Sequence, residues 1–586
     1  MKMQKYSALI ILSSAFLLLG CTDSERLHAE GMGKLIADAA DGFVVTTDLS
    51  GVKEIHTDRQ KEYLSYQGEY VSIPEANYPD GQQHISEPNA INLAWEFTPE
   101  SGKTLSRYDV KIGQKEDLSD GFIIKGTSAA SLDVYNSYIG DNYFQIIANY
   151  ADGSKKESGI QKYTVDDVYP RNLRIDGMTN CRDMGGGRTL EDGGYIKQGL
   201  LYRTSATNNW GNGRAVVPDS ITNDGKEVLF NQLGVKTEIN VNNGGDSHLS
   251  EVKNYVSAKM YYDNGKHHLY RNAEPLKEVF HALSDINNYP VFYHCRIGTD
   301  RTGLCAILIS GLLGVPENLI YQDYLFSNFG NIQEKRYIGD KAGRDNILNY
   351  INDLKAFPGE KFQNKVYNYL LAIGVPASEL NSVIDILTEG TKAQGNDNCQ
   401  QVVTAENFES DDLQIKTETS QANPKKYYSL VKDSSVKATF DFDYTGEAKL
   451  VAYLGNPNRI SDTSKKIAES IEVSIDGDFF EQDEVSYADA GFGQGDGRTY
   501  YSAIMLGTID VYPYSMEVVI EGNDSDLNIG AISVIPTEQV SPEEAPVNPD
   551  KPSKGCGGSI IATTSIIAIL AVAGGSLLVF RKRKED

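Results

Sequence analysis

The chain has 586 residues, about twice the length at which a single hydrophobic core stops growing, so several domains are expected. Its 81 Asp and Glu residues outnumber 55 Lys and Arg residues, and the formal net charge of −26 opposes binding to nucleic acid backbones. Six Cys residues without a CxxC pair argue against a disulfide framework and against a structural zinc site.

The start of the chain has the layout of a secretory signal peptide, which we place at 1–20. Two lysines precede an uncharged, mostly apolar run over residues 6–20. The run ends in Leu-Leu-Gly-Cys, which resembles a bacterial lipobox and implies lipidation of Cys21. Ordinary signal cleavage further on, for instance after Ala29, is the alternative. A polar tether is expected at 21–70.

Short alternating runs predict a β-sandwich over residues 71–168. The runs at 93–97, 108–112 and 143–148 alternate apolar and polar residues, at the spacing of strands in a sandwich. With Trp95 in an early strand, the pattern resembles a fibronectin type III or other immunoglobulin-like domain.

Residues 169–395 mix the periodicities of helices and strands. Residues 274–286 and 302–313 have the pattern of helices, and a short apolar strand is predicted at 289–293. This alternation predicts an α/β domain.

The segment between that strand and the second helix carries the most specific pattern in the chain, and it reads His294-Cys295-Arg296-Ile297-Gly298-Thr299-Asp300-Arg301-Thr302-Gly303. Loop N–H groups and a helix N-terminus converge there and form an anion site. The same field stabilises a thiolate, so Cys295 is the candidate nucleophile. Arg301 offers a planar fork to two phosphate oxygens. The remaining candidate phosphate-loop residues are Arg296, Ile297, Gly298, Thr299 and Thr302, whose hydroxyl assists departure of the sulfur.

His-Cys-x5-Arg-Thr-Gly between a strand and a helix resembles the signature of the cysteine-dependent protein tyrosine phosphatases. A second stretch, Asn180-Cys181-Arg182-Asp183-Met184-Gly185-Gly186 with Gly199-Leu200-Leu201-Tyr202-Arg203-Thr204-Ser205, is similar to segments of the bacterial members with dual or lipid specificity. The resemblance spans residues 171–389. It implies a central, largely parallel sheet wrapped in helices, and phosphomonoester hydrolysis without a metal or other cofactor.

Two positions depart from the pattern of these relatives. Asn240-Val241-Asn242 stands where they have Asp-Leu-Arg, which removes one acid, and Thr299 stands where several have Lys. Asp300, directly before the signature arginine as in myotubularin-like and bacterial relatives, is the candidate general acid. Its alternative role is an ion pair or a loop-stabilising hydrogen bond with Arg301 or a nearby backbone group. Asp246, in a polar loop after a predicted strand, is the second candidate acid.

Three further residues are assigned supporting roles. His294 sets the geometry of the loop and thiol through hydrogen bonds, with plain packing as the alternative. Arg182 and Arg203 either brace the loop or bind substrate, and bracing is the preferred interpretation.

Residues 399–536 predict a third module, a jelly-roll-like β-sandwich of the carbohydrate-module type. Its alternating runs lie at 438–442, 450–454, 471–475 and 516–520. No chemical constellation is visible in this module.

The end of the chain predicts a membrane anchor. A Pro- and Glu-rich linker over 537–556 precedes an uncharged stretch at 557–580, long enough for a transmembrane helix. The basic tail at 581–586 would stay in the cytoplasm. The predicted location is therefore the extracellular face of a cell membrane.

The predicted fold class is thus multidomain: an α/β cysteine-phosphatase fold flanked by two all-β sandwiches, with one C-terminal transmembrane helix. The leading hypothesis is a cell-surface phosphatase that acts on a phosphorylated protein or small phosphomonoester of the phosphotyrosine type through a cysteinyl-phosphate intermediate. One alternative is a phosphoinositide or inositol-phosphate phosphatase, with additional phosphates held by Arg296, Arg182 and Arg203. Another is a glycan-binding surface protein with a vestigial phosphatase core.

Overall fold

The computed structural model describes residues 42–208, 220–243, 248–261, 268–339, 347–390, 400–418, 425–456, 462–492, 500–523 and 527–538. These residues form two compact units, one made of 42–65, 87–176 and 222–234 and the other of the remaining described residues. The signal peptide, Cys21, Asp246 and most of the chain after residue 536 lie outside the described residues.

The first unit consists mainly of β-strands. They are β1 Phe43–Val45, β2 Val52–Lys53, β3 Ile91–Phe97, β4 Leu105–Gly113, β5 Phe122–Lys125, β6 Ser131–Val134, β7 Gly140–Tyr150, β8 Lys155–Glu157 and β9 Gln161–Val165. One sheet has the order β1-β3-β6, and the other has the order β2-β9-β7-β4-β5 with β8 paired to β7. Trp95 from the first sheet and Val110 and Phe144 from the second are buried in one core. The likeness to a fibronectin type III domain stays a prediction.

Two short helices belong to the same unit, and one lies in the region expected to be a tether. They are α1 Asp58–Leu64 and α2 Asn223–Lys226, which a π-helix at Glu227–Gln232 follows. Helix α1 begins with a capping box between Thr57 and Gln60. Phe43 and Ile55 are part of the sandwich core, so this stretch is folded because it buries its few apolar side chains.

The second unit contains a central sheet with the order β10-β12-β15-β13-β14. All of its neighbouring strands are parallel except β10 and β12. The strands in this part are β10 Arg182–Asp183, β11 Tyr195–Ile196, β12 Leu201–Thr204, β13 Thr237–Asn240, β14 Asn254–Ser257, β15 Val291–His294 and β16 Thr388–Glu389, with β11 and β16 forming a separate pair.

Helices accompany this sheet. They are α3 His268–Arg271, α4 Ala273–Ser284, α5 Asp300–Leu312, α6 Glu317–Phe326, α7 Ile347–Lys355, α8 Phe362–Ala372 and α9 Ala377–Leu387. The helices predicted at 274–286 and 302–313 are found as α4 and α5. Every residue of α5 after the first is buried, as expected of a helix that is apolar on all sides. Strand β15 lies between β12 and β13, so its carboxyl end opens at the middle of the sheet.

Residues 66–86, here called the strap, also belong to the second unit. The Gly81 N–H donates to the Asn328 carbonyl at 3.1 Å, and the Ile85 N–H donates to the Phe329 carbonyl at 2.9 Å. At Gly81 the backbone has a positive φ of 76°, and a Cβ would lie 2.7 Å from the Glu334 carbonyl oxygen. Glycine is therefore required where the strap contacts the segment after α6.

The C-terminal part of the second unit has two further sheets. Their strands are β17 Gln401–Thr404, β18 Lys416–Glu418, β19 Lys425–Leu430, β20 Ser435–Asp441, β21 Gly446–Asn456, β22 Ile471–Ile475, β23 Asp478–Phe480, β24 Tyr500–Val511, β25 Ser515–Gly522 and β26 Leu527–Pro536. One sheet is β18-β19-β26-β21-β24 with β17 on β26, and the other is β20-β25-β22-β23. The Tyr453 hydroxyl of β21 donates to Glu274 of α4, so these sheets pack on the helical part of the unit.

The membrane-anchored fold class and the membrane location require correction. Among the helices that the structure describes, none has the length and apolarity needed to cross a bilayer. The longest, α5, has 13 residues and spans about 20 Å, against about 30 Å for a bilayer core. The predicted C-terminal membrane anchor and cell-surface location are thus not supported by the described residues. The segment at 557–580 and the tail at 581–586 lie outside those residues.

Candidate active site

The candidate phosphate loop runs from the end of β15 to the start of α5, at the carboxyl edge of the central sheet. Cys295 is the first loop residue and is 1% exposed. Gly298 has a φ of +72°, and a Cβ there would lie 2.6 Å from the Thr204 carbonyl oxygen. The loop therefore packs so closely on the end of β12 that only glycine fits this position.

Two side chains bind the outward-facing carbonyls of the loop. Asn180 Nδ2 donates to the carbonyls of Ile297 at 3.3 Å and Gly298 at 3.0 Å, and Arg203 Nη2 donates to the Gly298 carbonyl at 2.9 Å. In a trans peptide the N–H points away from the carbonyl. The N–H groups of Gly298 and Thr299 are therefore directed to the opposite side of the loop, where an anion can be bound.

Behind the loop, Asp323 of α6 binds two arginines. Arg182 Nε donates to Asp323 Oδ1 at 2.8 Å, and Arg203 Nη1 donates to Asp323 Oδ2. Burial opposes the charged form of Asp323, but the charges of Arg182, Arg203 and Arg188 outweigh it and hold the pKa of its carboxyl well below the ordinary value. We call Asp323, Arg182 and Arg203 the rear cluster.

The rear cluster determines what its two arginines can do. The side chain of Arg182 is 1% exposed and that of Arg203 is 0% exposed. Both guanidinium groups are bound to Asp323. This geometry favours bracing of the loop over contact with a substrate. In addition, Arg182 Nη2 donates to Ser327 Oγ at 3.1 Å, which connects β10 to the end of α6.

The thiol of Cys295 lies in an environment that favours its charged form. Burial raises its pKa, but the positive charge of Arg301 and hydrogen bonding from Thr302 lower it more, so the pKa of the Cys295 thiol lies below its ordinary value. The hydroxyl of Thr302 is buried and has no other hydrogen-bond partner among the described residues. This position is consistent with a hydroxyl directed at the sulfur.

Arg301 is held from the strand side of the site. Its Nη1 donates to Asn243 Oδ1 at 2.9 Å. Asn243 follows the segment in which the sequence departs from the Asp-Leu-Arg pattern. An amide oxygen there orients the guanidinium without neutralising its charge.

Asp300, the candidate general acid, forms an ion pair with Arg336. Arg336 Nε donates to Asp300 Oδ1 at 2.9 Å, and Arg336 Nη2 donates to Asp300 Oδ2 at 3.1 Å. The negative charge of Asp300 raises the pKa of the Cys295 thiol, so the carboxylate lies close to that thiol. The alternative role predicted for Asp300 was a contact with Arg301 or a nearby backbone group, whereas the ion pair found here is with Arg336.

His294 is buried and bound on both sides of its ring. Nε2 donates to Glu238 Oε1 of β13 at 3.0 Å, and Nδ1 lies 3.2 Å from the Cys295 carbonyl oxygen. Glu238 Oε2 accepts from the Leu249 N–H at 3.1 Å. These contacts fix the position of the peptide that carries the thiol, in agreement with a role in loop geometry.

The other predicted loop residues differ in exposure. Ile297 is 7% and Thr299 0% exposed, and the Thr299 hydroxyl accepts from Asn180 at 3.2 Å. Thr299 therefore occupies the position of the relatives' lysine as a structural residue. Arg296 is half-buried, and its Nε has no hydrogen-bond partner among the described residues.

Asn180 lies inside a sequence motif without an assigned role, and no role was predicted for Glu238, Asn243 or Arg336. Asn180 has a φ of +57°, a backbone conformation that Asn tolerates better than most residues. That property was the available signal for a special position. No pattern in the sequence marks Arg336, which lies 36 residues from its partner.

Comparison with known families gives one match. A family model described as the tyrosine phosphatase family matches residues 173–384. This supports a tyrosine-phosphatase-like family for that part of the chain, and with it phosphatase activity on phosphorylated substrates. A comparison with curated proteins finds no match.

Solved structures give only weak likenesses. A family 35 carbohydrate binding module from Clostridium thermocellum is 10% identical over 23% of this chain and 96% of its own, with a TM-score of 0.18. A carbohydrate binding module (CBM6cm-2) from Cellvibrio mixtus lichenase 5A, in complex with cellotriose, is 14% identical over 23% and 97%, also with a TM-score of 0.18. A Podospora anserina GH26-CBM35 mannanase is 13% identical over 25% of this chain and 29% of its own, with a TM-score of 0.18. Scores this low carry no argument about function.

Proposed function

We propose that this chain hydrolyses phosphomonoesters of the phosphotyrosine type through a cysteinyl-phosphate intermediate. The observation that carries the proposal is the Cys295 thiol, which is buried, has a lowered pKa and shares one loop with Arg301. The family match over residues 173–384 supports the same chemistry. Phosphorylated protein and small phosphomonoesters are both within this substrate class.

In the first step the Cys295 thiolate attacks phosphorus in line with the leaving oxygen. The S–P bond forms while the P–O bond breaks, and its electron pair leaves with the alcohol or phenol oxygen. Asp300, in its protonated form, gives its proton to that oxygen. Arg301 and the N–H groups of Gly298 and Thr299 stabilise the charge on the equatorial oxygens.

In the second step water attacks the phosphorus of the thiophosphate. The S–P bond breaks and its electron pair returns to the sulfur, while Asp300, now a carboxylate, accepts a proton from the water. The Thr302 hydroxyl assists departure of the thiolate. Phosphate leaves, and the Cys295 thiolate and the protonated Asp300 are regenerated.

The depth of the thiol favours aryl phosphates. Because Cys295 is 1% exposed, a phosphate on a long, flat tyrosine side chain reaches it better than one on a short serine side chain. The inositol-phosphate alternative needs further cations, and the rear cluster occupies Arg182 and Arg203. Arg296 is the remaining candidate from that set.

The test is hydrolysis of para-nitrophenyl phosphate by the full chain in EDTA under reducing conditions. Cys295→Ser is the test variant, and Cys305→Ser is the matched control because Cys305 is a buried thiol on α5. We expect turnover by the wild-type and control proteins and none by Cys295→Ser. Equal turnover by Cys295→Ser would exclude the proposed nucleophile.

A second measurement separates the substrate classes. Rates on a phosphotyrosine peptide and on an inositol polyphosphate are compared for the wild type and for Arg296→Met. We expect the peptide to be the better substrate for both proteins. A preference for the inositol polyphosphate that is lost with Arg296 would favour the alternative. Glycan binding by the C-terminal sheets stays a prediction.

A further inference from the structure

The contact between Arg336 and Asp300 is the arginine–carboxylate fork described above, with both guanidinium–carboxylate distances near 3 Å. Its two side chains are 13% and 16% exposed for Arg336 and Asp300. A bidentate fork of this kind fixes direction as well as charge. The carboxylate is therefore oriented by a residue outside the phosphate loop.

The backbone around Arg336 is itself held in place. The Arg336 N–H donates to Asn328 Oδ1 at 2.8 Å, and Asn328 Nδ2 donates to the Arg336 carbonyl at 3.1 Å. The preceding residue, Lys335, places its ammonium 4.4 Å from the centre of the Tyr78 ring in the strap. Arg336 thus stands on a segment fixed from two directions.

The candidate active site brings two negative charges together. Among the described residues, Arg336 from the segment after α6 binds the carboxylate of Asp300, and Glu334 from the same segment binds Arg336. Arg301 from α5 and Asp300 both act on the Cys295 thiol. Arg301 compensates the thiolate, and its guanidinium is oriented by an uncharged amide. A second cation is needed for the carboxylate, because two like charges in a buried site oppose each other's ionisation.

We propose that Arg336 is a positioning residue that neutralises Asp300 beside the thiolate and keeps its carboxylate aimed at the reacting oxygen. The catalytic part of this inference, the aim of the carboxylate, rests on the proposed function. The electrostatic part, the effect of Arg336 and Asp300 on the ionisation of the Cys295 thiol, can be tested without turnover.

Each half of the reaction is affected differently by this contact. The fork favours the carboxylate form of Asp300, which accepts the proton of the attacking water in the second step. It opposes the protonated form needed in the first step. Without Arg336 the carboxylate loses this counter-charge, so Asp300 gains proton affinity and the Cys295 thiolate becomes less stable.

The first experiment measures alkylation of Cys295 by iodoacetamide against pH in the full chain, followed by mass spectrometry of the peptide that carries Cys295. Arg336→Met should move the midpoint of the rate upward by on the order of one pH unit. Arg336→Lys, which keeps the charge, should move it much less. Asp300→Asn should lower the midpoint, and the effect of Arg336→Met should nearly vanish in that background.

The matched control is Arg107→Met in the other unit. Arg107 forks Asp109 with nearly the same geometry, through Nε at 2.9 Å and Nη2 at 3.2 Å. This variant should leave the midpoint unchanged. Thermal melting of each variant identifies loss of folding. If Arg336→Met does not fold, the midpoint of Arg336→Lys is compared with that of the wild type instead. An unchanged midpoint in folded Arg336→Met, or an equal shift with and without Asp300, would overturn the inference.

The second experiment follows kcat/KM for phenyl phosphate against pH. The basic limb should move upward by about one pH unit or more in Arg336→Met and disappear in Asp300→Asn. If turnover depends on Cys295 but the basic limb does not move in Arg336→Met, the role of Arg336 is overturned and the proposed function is left intact. Absence of wild-type turnover would overturn the proposed function, while the alkylation series still decides the electrostatic inference.

Discussion

The rear cluster and the pair formed by Asp300 and Arg336 are both built from a carboxylate and arginine, yet their surroundings differ. The side chain of Asp323 is 4% exposed and binds two arginines that are themselves buried. Asp300 and its arginine reach solvent. In the rear cluster both guanidinium groups are bound to the carboxylate of Asp323, whereas Arg301 binds the uncharged amide of Asn243. Buried arginines can thus hold the loop in place, while the charge of Arg301 acts on the Cys295 thiol.

The largest expected effect breaks the rear cluster. Asp323→Asn leaves Arg182 and Arg203 without their buried counter-charge, and removal of one member of such a group costs about 3–5 kcal/mol. Urea unfolding should show this loss in the free energy of unfolding. The control is Glu317→Gln on the same helix α6, which removes a half-exposed ion pair with Lys355 of α7. This variant should cost less than about 1 kcal/mol.

The same cluster predicts a dependence of stability on pH. The pKa of Asp323 is lower in the folded chain than in the unfolded chain, so the unfolded state binds more protons as the pH falls. The stabilisation is complete above the unfolded pKa of about 4 and is lost as the pH falls below it. Asp323→Asn should flatten the stability curve in this acid range. A curve with an unchanged slope would contradict the assignment.

The second effect separates two thiols. Cys295 has a lowered pKa, whereas burial first, and then the charge of Cys295, raise the pKa of the Cys305 thiol on α5. At neutral pH iodoacetamide should modify Cys295 on the order of 100-fold faster than Cys305. Peptide mapping after timed alkylation measures both rates. Equal rates would mean that the loop does not stabilise a thiolate.

The third effect tests how closely the loop packs. In Gly298→Ala the new Cβ would meet the Thr204 carbonyl at 2.6 Å in a left-handed backbone conformation, which costs about 1–2 kcal/mol before the clash is counted. Activity should fall by about 100-fold, since a small displacement of positioning groups has that effect. Gly477→Ala is the control, because its φ is +90° and no heavy atom lies within 4 Å. It should lower stability but not activity.

The elements that the sequence predicted best are those with strong local patterns. Helix α5 is mostly apolar after its first turn, and the loop before it has a fixed order of residue types, so both were identified at their positions. Residues 43–64 were misjudged as part of a tether because their buried side chains are sparse and lack a clear period. The predicted membrane anchor rested on the uncharged stretch at 557–580 and the basic tail after it, which both lie outside the described residues.

The residues of the candidate site could be predicted from the sequence where they lie within one short segment. Cys295 and Arg301 are six residues apart, and their loop brings them together through local geometry. Arg336 and Asn243 reach the same place through tertiary folding, from the segment after α6 and from the loop after β13. Their residue types are common and their spacing carries no period. Only the fold brings them to the loop.

The smallest expected effect sharpens the contrast between arginines bound to a carboxylate and Arg301, which binds an amide. Asn243→Ala removes the 2.9 Å hydrogen bond to Arg301, so the guanidinium keeps its charge but loses one orienting contact. We expect kcat/KM to fall by about ten-fold, equivalent to about 1.4 kcal/mol, with folding unchanged. Asn243→Asp should fall further, because a carboxylate would neutralise Arg301 in the manner that Asp323 neutralises Arg203. Higher activity in Asn243→Asp than in Asn243→Ala would mean that the site does not require the positive charge of Arg301.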